Sequence, residues 1–108
     1  MGETLFFTYC ATCHGDTAEG NGPMGEVLNI TPADLTRLAE RNGGVFPTTR
    51  VAYRIDGRDP LLAHGGAMPV FGDIFDDAMA PIKAETGQPI LAGRGIADLI
   101  AYLETLQR

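Results

Sequence analysis

The stretch Cys10-Ala11-Thr12-Cys13-His14 decides the fold and the chemistry of this chain. Residues three apart lie on one face of a helical turn, so the two cysteines can each form a thioether to a vinyl group of one haem. His14 then lies under the ring and can offer an imidazole nitrogen to the iron as the proximal ligand. The C-x-x-C-H spacing is typical of c-type haem attachment and predicts one covalently bound haem c.

Two other kinds of site use a Cys-x-x-Cys pair. A thioredoxin-like dithiol requires a preceding strand and a parallel sheet, whereas residues 3–9 lead into the pair without a turn signal. A zinc site needs about four ligands, and the chain has two cysteines and two histidines, with His64 far from the pair. Haem is the favoured interpretation, and a dithiol or a zinc site completed by carboxylates are the alternatives.

Length and composition limit the class of protein. The 108 residues predict a single domain over residues 1–108, with no apolar run long enough to insert in a membrane. The first residues lack the pattern of a secretory signal. Because thioether attachment of haem normally takes place outside the cytoplasm, we expect a periplasmic or otherwise exported protein whose signal is absent from this sequence.

The charge of the chain is acidic. It carries 14 acidic and 8 basic residues, a net charge of −6. Nucleic acid and anionic membrane surfaces are therefore unfavourable partners. The acidity either keeps the protein soluble or steers it toward a basic docking patch on a redox partner.

Hydrophobic spacing and turn residues predict an all-α chain of about four to five short helices. The helices are predicted at residues 3–13, 32–42, 47–55 and 96–106. Thr31 is the expected N-cap of the second helix, and the last helix has the clearest apolar face. Residues 73–92 are ambiguous, with a short helix near residues 74–79, and no stretch shows the alternation of a strand.

A haem that carries electrons needs a sixth iron ligand, and methionine is a common one. Met68 follows a Gly-Gly pair and precedes a proline, so its loop can approach the ring closely and leave it stiffly. Met24 is too close in sequence to the proximal histidine, and Met79 has the periodicity of a core residue. Met68 is the predicted ligand, and His64 is the rival.

The chain resembles the class I c-type cytochromes over nearly its whole length. The match lies in the opening G-x-x-x-F-x-x-x-C-x-x-C-H pattern and in the closing helix, at Gly2, Phe6, Cys10, Cys13, His14, Leu99 and Tyr102. The resemblance implies the cytochrome c fold, in which short helices surround one haem and the N- and C-terminal helices cross.

The resemblance also implies roles for individual residues. Met68-Pro69 matches the distal ligand motif of the family and implies a monohaem site with His14 and Met68 as axial ligands. Gly22-Pro23 matches the turn whose proline carbonyl, in the family, accepts a hydrogen bond from Nδ1 of the proximal histidine. Such a partner fixes the tautomer of the ligand and makes it more basic.

The haem propionates need hydrogen-bond donors. Tyr53 and Arg54 are adjacent on the predicted third helix, with Arg50 and Arg58 close to them in sequence. Because buried carboxylates require paired charge, Tyr53 or Arg54 is the predicted propionate contact. The alternative is a solvated basic face.

These observations predict a one-electron carrier and not an enzyme. We expect a monomer that meets redox proteins through the haem edge beside Cys13 and residues 68–71, a small apolar patch. Three acids are expected to rim this patch, Asp73, Asp76 and Asp77. The alternatives are an electron-transfer domain or subunit of a larger dehydrogenase or reductase, and a haem enzyme or gas sensor with a labile methionine ligand.

Overall fold

Four α-helices, two 3₁₀ turns and a β-hairpin make up the part of the chain that the computed structural model describes, residues 2–24, 32–57, 68, 71 and 79–108. In chain order they are α1 (Gly2–Tyr9), α2 (Ala11–His14), the 3₁₀ turns Leu35–Arg37 and Glu40–Asn42, α3 (Thr48–Asp56), β1 (Met79–Lys83), β2 (Pro89–Gly93) and α4 (Arg94–Thr105). None of these helices is both long and apolar enough to cross a membrane.

The crossing of α1 and α4 forms the centre of the core. Gly2 lies directly on α4, where a Cβ would collide with the carbonyl oxygen of Asp98. Phe6 is completely buried, and its ring centroid lies 5.5 Å from that of Tyr102. The small residue permits the close approach and the aromatic pair fills the space beside it. The predicted crossing of the first and last helices is confirmed.

The two predicted helices in the first half of the chain differ from the observed ones. The helix predicted over residues 3–13 is divided at Cys10 into α1 and α2. In place of the helix predicted over residues 32–42 there are the two 3₁₀ turns. The Asp34 side chain accepts a hydrogen bond from the backbone N–H of Thr36 (2.9 Å), and this local bond favours a tight turn over an α-helix.

The predicted third helix is confirmed as α3. It ends where Gly57 adopts a left-handed conformation with φ of 91°, a backbone state that favours glycine. The predicted N-cap of the preceding helix, Thr31, lies outside the described residues.

The prediction of an all-α chain with no strand is wrong, because residues 79–93 form an antiparallel hairpin. β1 and β2 pair from Met79 with Gly93 to Lys83 with Pro89. The connecting turn contains Gly87 with φ of 87°, as in short hairpin loops that end in a left-handed glycine. Residues 74–78 of the predicted short helix lie outside the described part, and its last residue begins β1.

The hairpin packs on the helical core with one face only. Burial alternates along β1, where Ala80 and Ile82 face inward, and Ala92 of β2 is completely buried. Met79 and Leu91 lie on the other face and are each 56 % exposed. The structure therefore contradicts the expectation that Met79 is a core residue. The two strands therefore form a small sheet that lies beside the helices.

Candidate haem site

The Cys-x-x-Cys-His stretch makes up the whole of the short helix α2, with Cys10 as its N-cap and His14 as its last residue. Cys10 and Cys13 are both unpaired thiols and both partly buried, and one helical turn separates them. The N–H of His14 donates to the carbonyl oxygen of Cys10 (3.0 Å), so the helical turn that brings the three side chains together is closed by the backbone itself. The structure confirms the local geometry that the spacing predicts, and it holds both thiols free to form thioethers.

His14 has one ring nitrogen held and the other free for a ligand role. The ring is buried, with 8 % of the residue exposed, and Nδ1 lies 2.9 Å from the carbonyl oxygen of Ala33. Because a carbonyl oxygen can only accept, Nδ1 carries the proton and Nε2 carries the lone pair. Burial lowers the pKa of His14 below its ordinary value, and the bond to Ala33 offsets this only in part. A neutral imidazole with an available Nε2 is the form that binds iron.

The acceptor for Nδ1 is Ala33 and not Pro23, so the role assigned to Pro23 is corrected. Pro23 is exposed. The glycine before it, Gly22, is instead drawn against α2, where its N–H donates to the carbonyl oxygen of Cys13 (3.1 Å). A Cβ at Gly22 would collide with the carbonyl oxygen of Thr12. The Gly-Pro turn therefore packs against the backbone of the motif, and a later segment passes beside the imidazole.

Backbone hydrogen bonds fix the segment that supplies this acceptor. The N–H of Leu35 donates to the carbonyl oxygen of Ala18 (2.7 Å), which ties the segment to the loop that follows α2. Sequence analysis missed Ala33 because any residue type can supply a carbonyl, and no side-chain signal could have identified it.

The electrostatics of the pair disfavour a redox-active dithiol. Burial, together with the smaller effect of the Cys13 charge, raises the pKa of the Cys10 thiol to about 11. Reactive dithiols instead have a thiol with a lowered pKa, since the thiolate is the attacking species. A metal site of the zinc type is not supported either, because the described residues contain no group of three histidine, cysteine or acidic side chains that could hold a metal ion.

The two described residues of the 68–71 stretch, Met68 and Phe71, both contact the helical core. Met68 is partly buried and packs against the hydrophobic core, as Cys10 does. The ring of Phe71 is buried and lies 5.9 Å from that of Tyr9, the residue just before the motif. The backbone N–H of Phe71 donates to the carbonyl oxygen of Ile55 in α3 (2.6 Å). Phe71 is thus anchored between the end of α1 and the end of α3, three residues after the predicted distal ligand.

The two predicted propionate contacts have different surroundings. Tyr53 lines an open groove of about 560 Å³ together with Arg50 and Glu85. Arg54 extends its guanidinium to Met68, where Nη2 donates to the carbonyl oxygen (3.2 Å). Its Nη1 is buried and has no hydrogen-bond partner among the described residues. A buried guanidinium nitrogen requires an acceptor, so the surroundings of Arg54 fit an anionic group. The surroundings of Tyr53 give no such indication.

Several predicted residues fall outside the described part of the chain. These are the rival ligand, the proline after Met68, the arginine that follows α3 and the three acids expected to rim the docking patch: His64, Pro69, Arg58, Asp73, Asp76 and Asp77. Their predicted roles stay predictions.

The described residues fit a covalently held haem. They offer two free thiols one turn apart, a neutral imidazole with its distal nitrogen available, and a buried guanidinium nitrogen that lacks an acceptor. The thiols would form thioethers with the vinyl groups, and His14 would ligate the iron. Each of these groups would suit a different part of one haem.

Comparison with known proteins agrees with a haem site. The family model described as Cytochrome c matches residues 1–107. A relative from Komagataeibacter europaeus, "Alcohol dehydrogenase (quinone), dehydrogenase subunit", is 33 % identical over 89 residues, which are 82 % of this chain. The chain spans about a tenth of the length of that relative (10 %). No solved structure matches the chain significantly.

Proposed function

Because the chain belongs to the cytochrome c family, we propose that it is a one-electron carrier with a single haem c, attached through Cys10 and Cys13 and ligated by His14 and Met68. The observation that carries this proposal is the His14 imidazole, neutral and oriented by Ala33, next to the free thiol of Cys13 and one turn from that of Cys10. When bound, the haem iron supplies the chemistry by cycling between the ferrous and ferric states.

The protein contributes orientation and electrostatics. The Ala33 carbonyl holds the proton on Nδ1 of His14. This leaves the lone pair on Nε2 and makes the imidazole a stronger ligand for a metal. Met68 is the proposed second ligand, and a thioether ligand would raise the reduction potential of the bound group. Arg54, through its unpartnered Nη1, is the proposed donor to a propionate. His14 and Met68 would together hold the iron and leave no site on it for a substrate, so the bound group would supply electron transfer to another protein.

The proposal includes a place of action and partners. Thioether attachment implies maturation in an export compartment, so we place the protein in the periplasm or its equivalent. We propose that its partners are redox proteins that present a basic patch to this acidic chain, as favoured by its net charge of −6.

Replacing Met68 tests the ligation. In the matured protein, Met68→Ala should abolish the weak red absorption band of methionine-ligated ferric haem, because the sulfur ligand is lost. Met79→Ala is the matched control, since Met79 lies in β1 and is 56 % exposed, and it should keep the band. Haem should remain covalently bound in both variants after denaturation. Loss of the band in Met79→Ala, or its persistence in Met68→Ala, contradicts the assignment of the ligand.

A second candidate is an electron-transfer domain or subunit of a larger dehydrogenase. The quinone alcohol dehydrogenase subunit that this chain resembles is about ten times longer than the matched region. A domain of that kind would receive electrons from a dehydrogenase partner with a defined stoichiometry. Copurification with a dehydrogenase at equal molar amounts supports this candidate, and rapid exchange with several unrelated partners supports a free carrier.

A gas-binding or peroxide-consuming haem makes a different prediction. It requires an iron position that opens at rest, so the reduced protein would bind carbon monoxide rapidly without denaturant. The proposed carrier should bind carbon monoxide slowly or not at all while Met68 is in place. Stopped-flow mixing of the reduced protein with carbon monoxide separates the two.

A further inference from the structure

The last turn of α3 holds both described residues of the 68–71 stretch. Arg54 donates from Nη2 to the carbonyl oxygen of Met68 (3.2 Å). The next residue, Ile55, accepts at its carbonyl oxygen from the N–H of Phe71 (2.6 Å). Two consecutive residues of one helix therefore hold the backbone at the Met68 carbonyl and at the Phe71 N–H, three residues further along the chain.

The guanidinium of Arg54 also has a second, unused donor group. Nη1 is fully buried and unpartnered among the described residues. A buried donor left unsatisfied loses the hydrogen bonds that it makes to water in the unfolded chain, and the loss is larger for a charged group. An acceptor at Nη1, best an anion, would remove this cost. A guanidinium is suited to this because its planar fork can donate to two acceptors at fixed relative positions.

We infer that Arg54 is a positioning residue for the Met68 ligand, which it ties to the anionic edge of the haem. Nη2 holds the backbone of Met68, and Nη1 binds a haem propionate. One rigid group then sets the distance between the cofactor edge and the ligand loop, so the thioether is held against the iron. This inference rests on the proposed function and deepens it. It gives Arg54, which does not touch the iron, control over the residue that binds the iron.

Arg50 provides the comparison within the same helix. It lies one turn before Arg54, is exposed, and lines the open groove beside Tyr53 and Glu85. It has the same charge as Arg54 and a similar place in sequence, so a general effect of positive charge near α3 would act through both. A positioning effect acts only through Arg54.

The experiment compares Arg54→Lys with Arg50→Lys in the matured protein. Lysine keeps the charge but offers a compact ammonium that cannot span both acceptors. We expect Arg54→Lys to bind added imidazole at the ferric iron about tenfold more tightly than the parent protein, since tenfold corresponds to about 1.4 kcal/mol lost from Met68 ligation. Arg50→Lys should bind imidazole as the parent does. The red methionine band follows the displacement directly.

The propionate contact has its own readout. In redox-difference infrared spectra, haem labelled with ¹³C at the propionate carboxyls gives bands that depend on their hydrogen-bond donors. These bands should shift in Arg54→Lys and stay in place in Arg50→Lys. Arg54→Gln, which keeps an amide donor for the Met68 carbonyl and removes the charge, is the second variant if the lysine substitution disturbs folding.

The outcomes separate this inference from the proposed function. If the parent protein shows the methionine band and Met68→Ala loses it, while Arg54→Lys and Arg54→Gln bind imidazole as the parent does, the positioning role is overturned and the ligation stands. Unshifted carboxyl bands in both variants overturn the propionate contact. If the parent protein itself lacks the band, Met68 is not the ligand, and the role of Arg54 is overturned with it.

Discussion

The orientation of His14, the proposed proximal ligand, depends on a backbone atom, so it depends on whatever holds that backbone in place. Its ring is hydrogen-bonded to the carbonyl oxygen of Ala33, and the stretch that follows Ala33 is tied to Gln107, two residues after the end of α4. The Gln107 side chain donates to the carbonyl oxygens of Leu35 (2.7 Å) and Leu103 (2.9 Å) and accepts from the N–H of Ala39 (2.9 Å). One amide thus joins the end of α4 to the segment beside the imidazole.

Replacing Gln107 should therefore loosen the proximal side. Gln107→Ala removes three hydrogen bonds in a partly buried place and should lower the free energy of unfolding by about 1–3 kcal/mol, at a net value of about 1 kcal/mol for each bond. Gln107→Glu should destabilise the protein as well, because a carboxylate would face two carbonyl oxygens. Guanidinium denaturation of the covalent haem protein measures both.

Glu104→Gln is the control, an exposed residue of α4 whose side chain can lose its charge without losing these bonds. An unfolding free energy for Gln107→Ala equal to that of Glu104→Gln would show that the amide does not stabilise the proximal segment.

At the residue scale, prediction from sequence is possible where chemistry dictates residue type. Cys10, Cys13 and His14 could be proposed because thioether formation and iron ligation demand those side chains at that spacing. Ala33 could not, because its contribution is a carbonyl that every residue has. Pro23 was assigned by resemblance, and the structure gives its role to another residue because Gly22 packs on the motif and leaves the proline exposed.

Among the elements, the hairpin is the one that the sequence did not reveal. Pro81 lies inside β1 and lacks the N–H that a strand uses, which argues against a strand on pattern alone. The alternation of inward and outward residues is present in β1, but it extends over a single short strand and depends on pairing with β2. Strand stability of this kind comes from a non-local partner and from packing on the helices, neither of which a local pattern contains.

Glu85, in the turn of the hairpin, hydrogen-bonds to the first turn of α3 and does the work of a capping side chain there. The Glu85 carboxylate accepts from the hydroxyl of Thr49 (2.6 Å) and lies 3.4 Å from its backbone N–H. α3 has no capping side chain of its own at Pro47, so a carboxylate from another element meets the unsatisfied N–H groups and the positive end of the helix dipole. This contact joins the hairpin to the helix that carries Arg54.

Removing the carboxylate should weaken this junction. Glu85→Ala should lower the free energy of unfolding by about 0.5–1 kcal/mol at neutral pH, a value reduced from that of a typical cap because the residue is exposed. Glu85→Gln should have a smaller effect, since it retains an acceptor oxygen. The measurement is denaturant unfolding of each variant, with Glu104→Gln as the matched change of charge on α4.

The same contact predicts a pH dependence. The Thr49 hydroxyl, followed by the backbone, lowers the pKa of Glu85 below its ordinary value. A carboxyl whose pKa is lowered in the folded protein stabilises it above the ordinary pKa, and this stabilisation is lost as the pH falls through the lower folded value. The difference in unfolding free energy between the parent and Glu85→Ala should therefore be constant near neutral pH and shrink in acid. A difference that does not change with pH would show that the carboxylate is not the stabilising group.

At the scale of the whole molecule, composition and topology constrain different properties. The crossing of α1 and α4 follows from sequence, since Gly2, Phe6 and Tyr102 lie where the crossing needs them. Whether the domain works alone or within a larger protein depends on which partners its surface binds. The sequence informs this mainly through its charge. The net charge of −6 makes the approach of a redox partner sensitive to the sign of that partner.

This sensitivity can be measured with small reagents of opposite sign. Reduction of the ferric protein by cationic hexaammineruthenium(II) should slow as ionic strength rises, because salt screens an attraction that can increase association rates by about 10-fold or more. Oxidation of the ferrous protein by anionic hexacyanoferrate(III) should become faster over the same range, because salt screens a repulsion. The screening length falls from about 30 Å at 0.01 M to about 10 Å at 0.1 M, so most of the change should occur between these concentrations. A neutral quinone serves as the control and should react at a rate that salt barely alters. If the cation and the anion respond to salt with the same sign, the acidic charge does not act at the surface where electrons leave, and a basic docking patch on the partner would have no electrostatic basis.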